Sequence, residues 1–157
     1  MDQIKQVRLA GGTLDLSRHV CAFFNSKEEE YRVLLPFIKE GFELGDRAFH
    51  IVKESWRPEH RRRLQAAGID LNSAEGKGQL EIRRWEDAYL QEGHFDQKRM
   101  LALIEQVLRG GAAQGFRLTR LVANMEWALE DRPGVTDIVE YETRLNYILP
   151  KFDDAVT

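Results

Sequence analysis

His19 and Cys21 stand two residues apart in a short apolar run, 19–24, and in an extended strand they share one face with Phe23. A thiol beside an imidazole could contact a ligand, sense redox state or contribute two metal ligands. The plainer alternative is a packed cysteine beside a hydrogen-bonded histidine. Zinc usually takes three or four protein ligands. Cys21 is the one cysteine, and His50, His60 and His94 show no ligand spacing, so no metal and no cofactor is expected. A thiolate nucleophile needs an activating base. His19 could serve, but it lies on the same strand, which favours the packing alternative.

These side chains need elements to hold them. The run 19–24 reads as a buried strand. Ser26 and Glu29 form a capping box for a helix with Tyr31, Leu34, Leu35, Ile38 and Phe42 on one face and Pro36 inside it. Strands are expected at 47–53, 79–85 and 118–125, and helices at 55–67, from Phe95-Asp96 to Gly115, and after Pro133-Gly134. Val7 to Leu9 and Leu14 to Leu16 could form a hairpin about Gly11-Gly12. Strand and helix alternate, which predicts an α/β fold of three layers around a mainly parallel sheet.

In such a sheet ligands bind beyond the carboxyl ends of the strands. The expected ends carry Phe23-Phe24-Asn25, Glu54-Ser55-Trp56, Trp85-Glu86-Asp87 and Met125-Glu126-Trp127. All three tryptophans therefore fall at one edge, each near a carboxylate. Aromatic walls with a few polar groups describe a small-molecule pocket, and carboxylates beside aromatic faces suit a cationic ligand. The alternative is aromatics capping the core. Arg120, Asn124 and Glu126 share a strand face with Val122, lining a pocket or the wet face of an edge strand. Glu142 falls near the apolar stripe of the last helix, where Arg120, Arg144, a ligand or water could meet it. Arg61-Arg62-Arg63 reads as a solvated helix face or an interaction patch.

The turn at Asn25-Ser26-Lys27 lacks the glycines and Lys-Ser/Thr pair of a phosphate loop. Glu28, Glu29 and Glu30 then fill the first helical turn, where they satisfy the helix dipole and repel phosphate. ATP hydrolysis is disfavoured on that ground, and Lys27 reads as a solvated charge.

Composition sets the frame. The chain has 157 residues, 43% apolar and 31% charged, with a formal net charge of −3. That suits one globular domain over 1–157 and shows no basic field for nucleic acid or anionic lipid. A lone thiol fits a reducing compartment. No run reaches the ~18 apolar residues of a membrane helix. A cytoplasmic protein is expected.

An ordered set of segments resembles the MEDS family, the sensory domain named from methanogens, methylotrophs and the dichloromethane-responsive repressor. The opening, His19-Val20-Cys21-Ala22-Phe23-Phe24, Glu28-Glu29 and Leu35-Pro36-Phe37-Ile38-Lys39-Glu40-Gly41, resembles that family's first segment. Tyr89 to Asp96 resembles its linker into the third long helix. Gly115-Phe116, Arg120 and Met125-Glu126-Trp127-Ala128-Leu129 resemble its fourth-strand motif. Pro133-Gly134 and Tyr141-Glu142 with Leu145-Asn146 resemble its last helix. The match covers roughly residues 17 to 150.

The resemblance implies a RecA-like core that has lost its phosphate loop, and it accounts for Pro36. It implies sensing of small organic compounds such as hydrocarbon derivatives, beside DNA-binding or histidine-kinase modules. Family members continue past the last helix into another strand, whereas this sequence runs only to Thr157, so the sheet is expected to be short of a strand or completed by a partner.

The leading expectation is a non-catalytic ligand-binding module in signal transduction or transcriptional regulation. Its site residues would be His19, Cys21, Phe23, Trp56, Trp85, Asn124, Glu126, Trp127, Tyr141 and Glu142. Its partners would be a small organic ligand, a kinase or regulator, and in one version a second copy, with no direct nucleic acid and no membrane. The rivals are a degenerate nucleotide-dependent enzyme with Glu126 as base, and an interaction domain with its aromatic edge packed shut.

Overall fold

The computed structural model describes residues 6–15, 18–152 and 155–156. Strands β1 (Val7–Leu9) and β2 (Gly12–Leu14) form an antiparallel hairpin with Val7 opposite Leu14. Ala10 (φ 50°) and Gly11 (φ 80°) make its turn, and two successive positive φ values match the twist of a two-residue hairpin loop. The turn thus sits one residue before the expected Gly11-Gly12, because Gly12 pairs with Leu9. Leu16, expected in the second strand, lies outside the described residues.

The run His19 to Phe24 is not the buried strand its composition predicts. It is irregular apart from a single bridge at His19, with Cys21 exposed and Phe23 94% exposed. The two sides of the central strand, β3 below, are already taken by other strands. The segment instead turns His19 and Cys21 toward the last helix.

Helix α1 (Lys27–Glu43) starts as expected, with Ser26 Oγ accepting the Glu29 N–H at 3.1 Å. The Glu29 carboxylate reaches back to the Asn25 N–H at 2.8 Å, one residue beyond the cap position of a standard box. Pro36 sits inside the helix on its exposed side, so the carbonyl it leaves unbonded can meet water. Phe37 is buried where Leu35 and Phe42 were expected to be, and those two are only partly covered.

Strand β3 (Arg47–Val52) is buried along its whole length. It is followed by α2 (Arg57–Ala66), the short α3 (Leu71–Gly76), β4 (Leu80–Arg84), α4 (Gln97–Ala113), β5 (Thr119–Ala123), α5 (Ile138–Ile148) and β6 (Ala155–Val156). Asp96 caps α4 by accepting the Arg99 N–H at 2.9 Å. The sheet order is β4-β3-β5-β6, every pairing parallel. At its far side Arg120 pairs with Ala155 and Leu121 with Val156.

Alternate residues of β3 serve two cores, as period-two geometry requires. Phe49 and Ile51 join Leu121 against Met100, Ile104 and Leu108 of α4 and Tyr141 and Leu145 of α5. Ala48 and Val52 join Leu80, Ile82 and Val122 against Leu34, Phe37 and Ile38 of α1, Leu64 of α2 and Leu71 of α3. The fold is therefore α/β, with helices on both faces of a parallel sheet. Chain order reverses about β3, with β4 on one side and β5 on the other, which opens the ligand position at the strands' carboxyl ends. Among the described residues no helix is long and apolar enough to cross a membrane.

Candidate functional site

Helix α5 presents Glu142 and Asn146, four residues apart, on one face. His19 lies across both. Its Nε2 is 3.0 Å from Glu142 Oε2, and its Nδ1 is 3.0 Å from Asn146 Oδ1. The Cys21 thiol donates to the same Glu142 oxygen at 3.5 Å. The three donor atoms of His19, Cys21 and Glu142 all lie within 4.8 Å of one another. The hydrogen bond that His19 donates to Glu142 holds the His19 pKa above its ordinary value, against the opposing effect of burial. Burial first, and then the Glu142 charge, raise the Cys21 thiol. When His19 is protonated, its ring and the Cys21 thiol both donate to one carboxylate.

Behind the cluster the core is aromatic. Tyr141, adjacent to Glu142, packs edge-on to Phe95 with ring centroids 5.3 Å apart, and Trp127 lies 4.8 Å from Tyr89 and 5.0 Å from Phe95. Burial drives the hydroxyls of Tyr89 and Tyr141 far above their ordinary range, with Glu142 adding to the shift. Gly134 (φ 87°) brings its loop against the Phe95 carbonyl, and a Cβ there would collide with that backbone. The Phe95 N–H in turn donates to the Pro133 carbonyl at 3.0 Å.

The three tryptophans do follow β3, β4 and β5 at one edge, as expected, but they do not wall an open pocket. Trp85 and Trp127 are 1% and 0% exposed. Trp85 Nε1 donates to the Asn124 carbonyl at 2.8 Å. Large aromatic area is worth most when removed from water, and here it closes the core. Trp56 is partly exposed, with its Nε1 donating to Tyr31 Oη at 3.2 Å.

Lys27 is not a solvated charge. Its Nζ lies 2.6 Å from Glu126 Oε1 and 2.8 Å from Glu30, over the Trp56 ring. Burial raises the Glu126 pKa, but the Lys27 hydrogen bond and charge outweigh it and hold the group below the ordinary range. Asn124 Oδ1 accepts the Glu126 N–H at 3.3 Å and shapes that turn.

Arg120 neither lines a pocket nor meets water. It is buried beneath α1, donating to Asp46 at 2.8 Å, the Phe37 carbonyl at 2.7 Å and Glu40 at 3.0 Å. Gly41 makes room for it, since a Cβ there would fall 2.7 Å from Arg120 Cδ. Glu142 therefore pairs with neither expected arginine, and Arg144 pairs with Glu140. Arg61, Arg62 and Arg63 are paired with Glu75, Glu59 and Glu28 rather than left as a bare basic patch.

One polar chain escaped the sequence reading. Tyr31 Oη lies 2.6 Å from His60 Nδ1, and His60 Nε2 lies 2.9 Å from His50 Nδ1. Both histidines are buried, and burial lowers the His60 pKa to about 4 and that of His50 well below its ordinary value. The two histidines are ten residues apart on different elements, so no spacing rule joins them.

The sequence profile of the MEDS family, the methanogen/methylotroph, DcmR sensory domain, matches residues 18–156. The chain belongs to that family. It is also similar to the transcriptional repressor DcmR of Methylorubrum extorquens, at 24% identity over 147 residues covering 92% of this chain and 51% of that protein. The chain thus spans about half the length of that relative. No solved structure matches.

Proposed function

We propose, from the premise that this chain is a MEDS sensory domain, that it binds a small organic molecule at the His19–Cys21–Glu142 cluster and reports occupancy through α5. The family and the repressor similar to it support a sensory, regulatory role. The observation that carries the reading is convergence: a partly exposed imidazole, an exposed thiol and a carboxylate meet from segments 121 residues apart.

A ligand able to accept from His19 or donate to Glu142 would replace part of that internal network. Glu142 and Asn146 sit on α5, so a rearranged network shifts the helix that carries them. Phe23, exposed beside the cluster, would cover an apolar part of the ligand. Trp127, Trp85 and Tyr141 would act as a rigid floor, with Trp56, Asn124 and Glu126 forming the neighbouring rim. The RecA-like kinship of the core, without phosphate binding, belongs to the same proposal, as do a regulatory partner downstream and the absence of a catalytic step.

A thermal-shift screen of small halogenated, methylated and aromatic organics tests it, with ATP and GTP as controls. A ligand at a hundred times its Kd stabilises the fold by about 2.7 kcal/mol. The reading predicts a stabilising organic whose effect Glu142→Gln removes. A shift given only by nucleotides contradicts it.

A further inference from the structure

We propose that His19, Cys21 and Glu142 form a three-ligand site for a borderline-soft divalent metal such as zinc, with its fourth position open. An imidazole nitrogen, a thiolate and a carboxylate are each established zinc donors, and three protein ligands with one open position characterise zinc sites that bind exchangeable molecules. A tetrahedral zinc with bonds of about 2.0–2.3 Å sets its ligand atoms roughly 3.3–3.7 Å apart. The His19 Nε2 to Glu142 separation is 3.0 Å, the Cys21 Sγ to Glu142 separation 3.5 Å, and all three atoms fall within 4.8 Å. Only small side-chain movements separate this arrangement from coordination.

A second observation points the same way. Asn146 Oδ1 is placed to accept from His19 Nδ1, which favours keeping a proton on Nδ1 and leaves Nε2 to coordinate once the proton it shares with Glu142 is released. A partner on the other ring nitrogen is the usual companion of a metal-binding histidine. Its position one turn after Glu142 on α5 means one helix face supplies both a ligand and the group that orients another.

Metal entry replaces the proton shared by His19 Nε2 and Glu142 and the proton on Cys21 Sγ, releasing both to solvent, so affinity rises with pH. The open position would take a small ligand with an anionic or lone-pair donor. As an account of what is sensed, the inference rests on the sensory reading, but the metal itself does not, so the two fail separately.

The test is a cobalt titration of chelator-treated protein, read by visible and near-ultraviolet absorption, with zinc competition. One equivalent should bind and give a thiolate-to-cobalt charge-transfer band. Cys21→Ser should abolish that band. Glu142→Gln should keep it and weaken affinity by about tenfold or more, and Asn146→Ala should weaken it by about tenfold. Melting curves without metal show whether each variant is folded. Alkylation of Cys21 in the folded wild type gives the same loss without a mutation. No charge-transfer band in the wild type, or cobalt affinity unchanged by Cys21→Ser and Glu142→Gln, overturns the proposal. Metal bound while no organic compound stabilises the protein leaves this site standing and removes the organic-ligand reading. Organic binding by a protein without a charge-transfer band does the reverse.

Discussion

His19 Nε2 and Glu142 Oε2 are 3.0 Å apart, although one residue lies in an irregular N-terminal segment and the other in the last helix. The pair ties the two ends of the chain together over the aromatic core. Asn146 meets His19 and the Cys21 thiol meets Glu142, with the Tyr141 and Tyr89 hydroxyls buried nearby.

In metal-free protein His19 should therefore titrate above its ordinary value of about 6.5. A raised folded-state pKa contributes stability below the unfolded value that is lost as pH rises through the folded value. NMR titration of the imidazole should show the raised midpoint, and Glu142→Gln should lower it. The same variant should lose more stability near pH 6 than near pH 9.

The buried histidines predict the opposite slope. His60 is pulled down to about 4 by burial, and His50 also lies well below the ordinary value. The unfolded chain then takes up protons that the native state refuses. Stability from these groups is fully present above about pH 6.5 and is lost as pH falls toward about 4. Urea unfolding at a series of pH values should show that decline, and His50→Leu should flatten it.

Charge pairs should differ sharply with depth. Asp46 is fully buried and accepts from Arg117 and Arg120, so Asp46→Asn leaves Arg120 short of its main counter-charge and should cost about 3 kcal/mol or more. The Glu126 side chain of the Lys27 pair is 52% exposed, and Glu126→Gln should cost less than about 1 kcal/mol. Chemical denaturation of both variants measures the contrast.

Gly134→Ala should be among the most damaging single-methyl additions. Its φ of 87° disfavours any side chain, and the added Cβ meets the Phe95 backbone. The expected result is a large drop in the urea midpoint. Gly115→Ala, with positive φ but open space, should cost only about 1 kcal/mol.

Much of this fold was legible in the sequence because its signals are local. Ser26 and Asp96 cap α1 and α4 as their spacing implies, and the runs at 47–52, 80–84 and 119–123 form three of the four strands, while the fourth, Ala155–Val156, fills the edge expected to lack a strand. The run 19–24 misled because apolar content says nothing about whether a neighbouring strand is vacant. The tryptophans fell at the right edge, but a strand end does not reveal whether the next side chain turns inward. Trp85 and Trp127 turn in, while Phe23 turns out. The site residues His19, Cys21 and Glu142 were each visible singly. Their meeting was not, because a contact across 121 residues leaves no periodicity. Arg120 looked like a pocket group because its acceptors, Asp46 and the Phe37 carbonyl, lie 74 and 83 residues away in sequence.

The most direct test of the ligand site is the rate at which Cys21, an exposed thiol, reacts with an alkylating reagent. The measurement compares that rate with and without an organic compound that raises the melting temperature. A ligand seated on His19, Cys21 and Glu142 must shield the thiol, so labelling should slow about in proportion to occupancy and return to the free rate in Glu142→Gln. A compound that stabilises the protein while Cys21 reacts at its unliganded rate would place the ligand elsewhere and contradict the account.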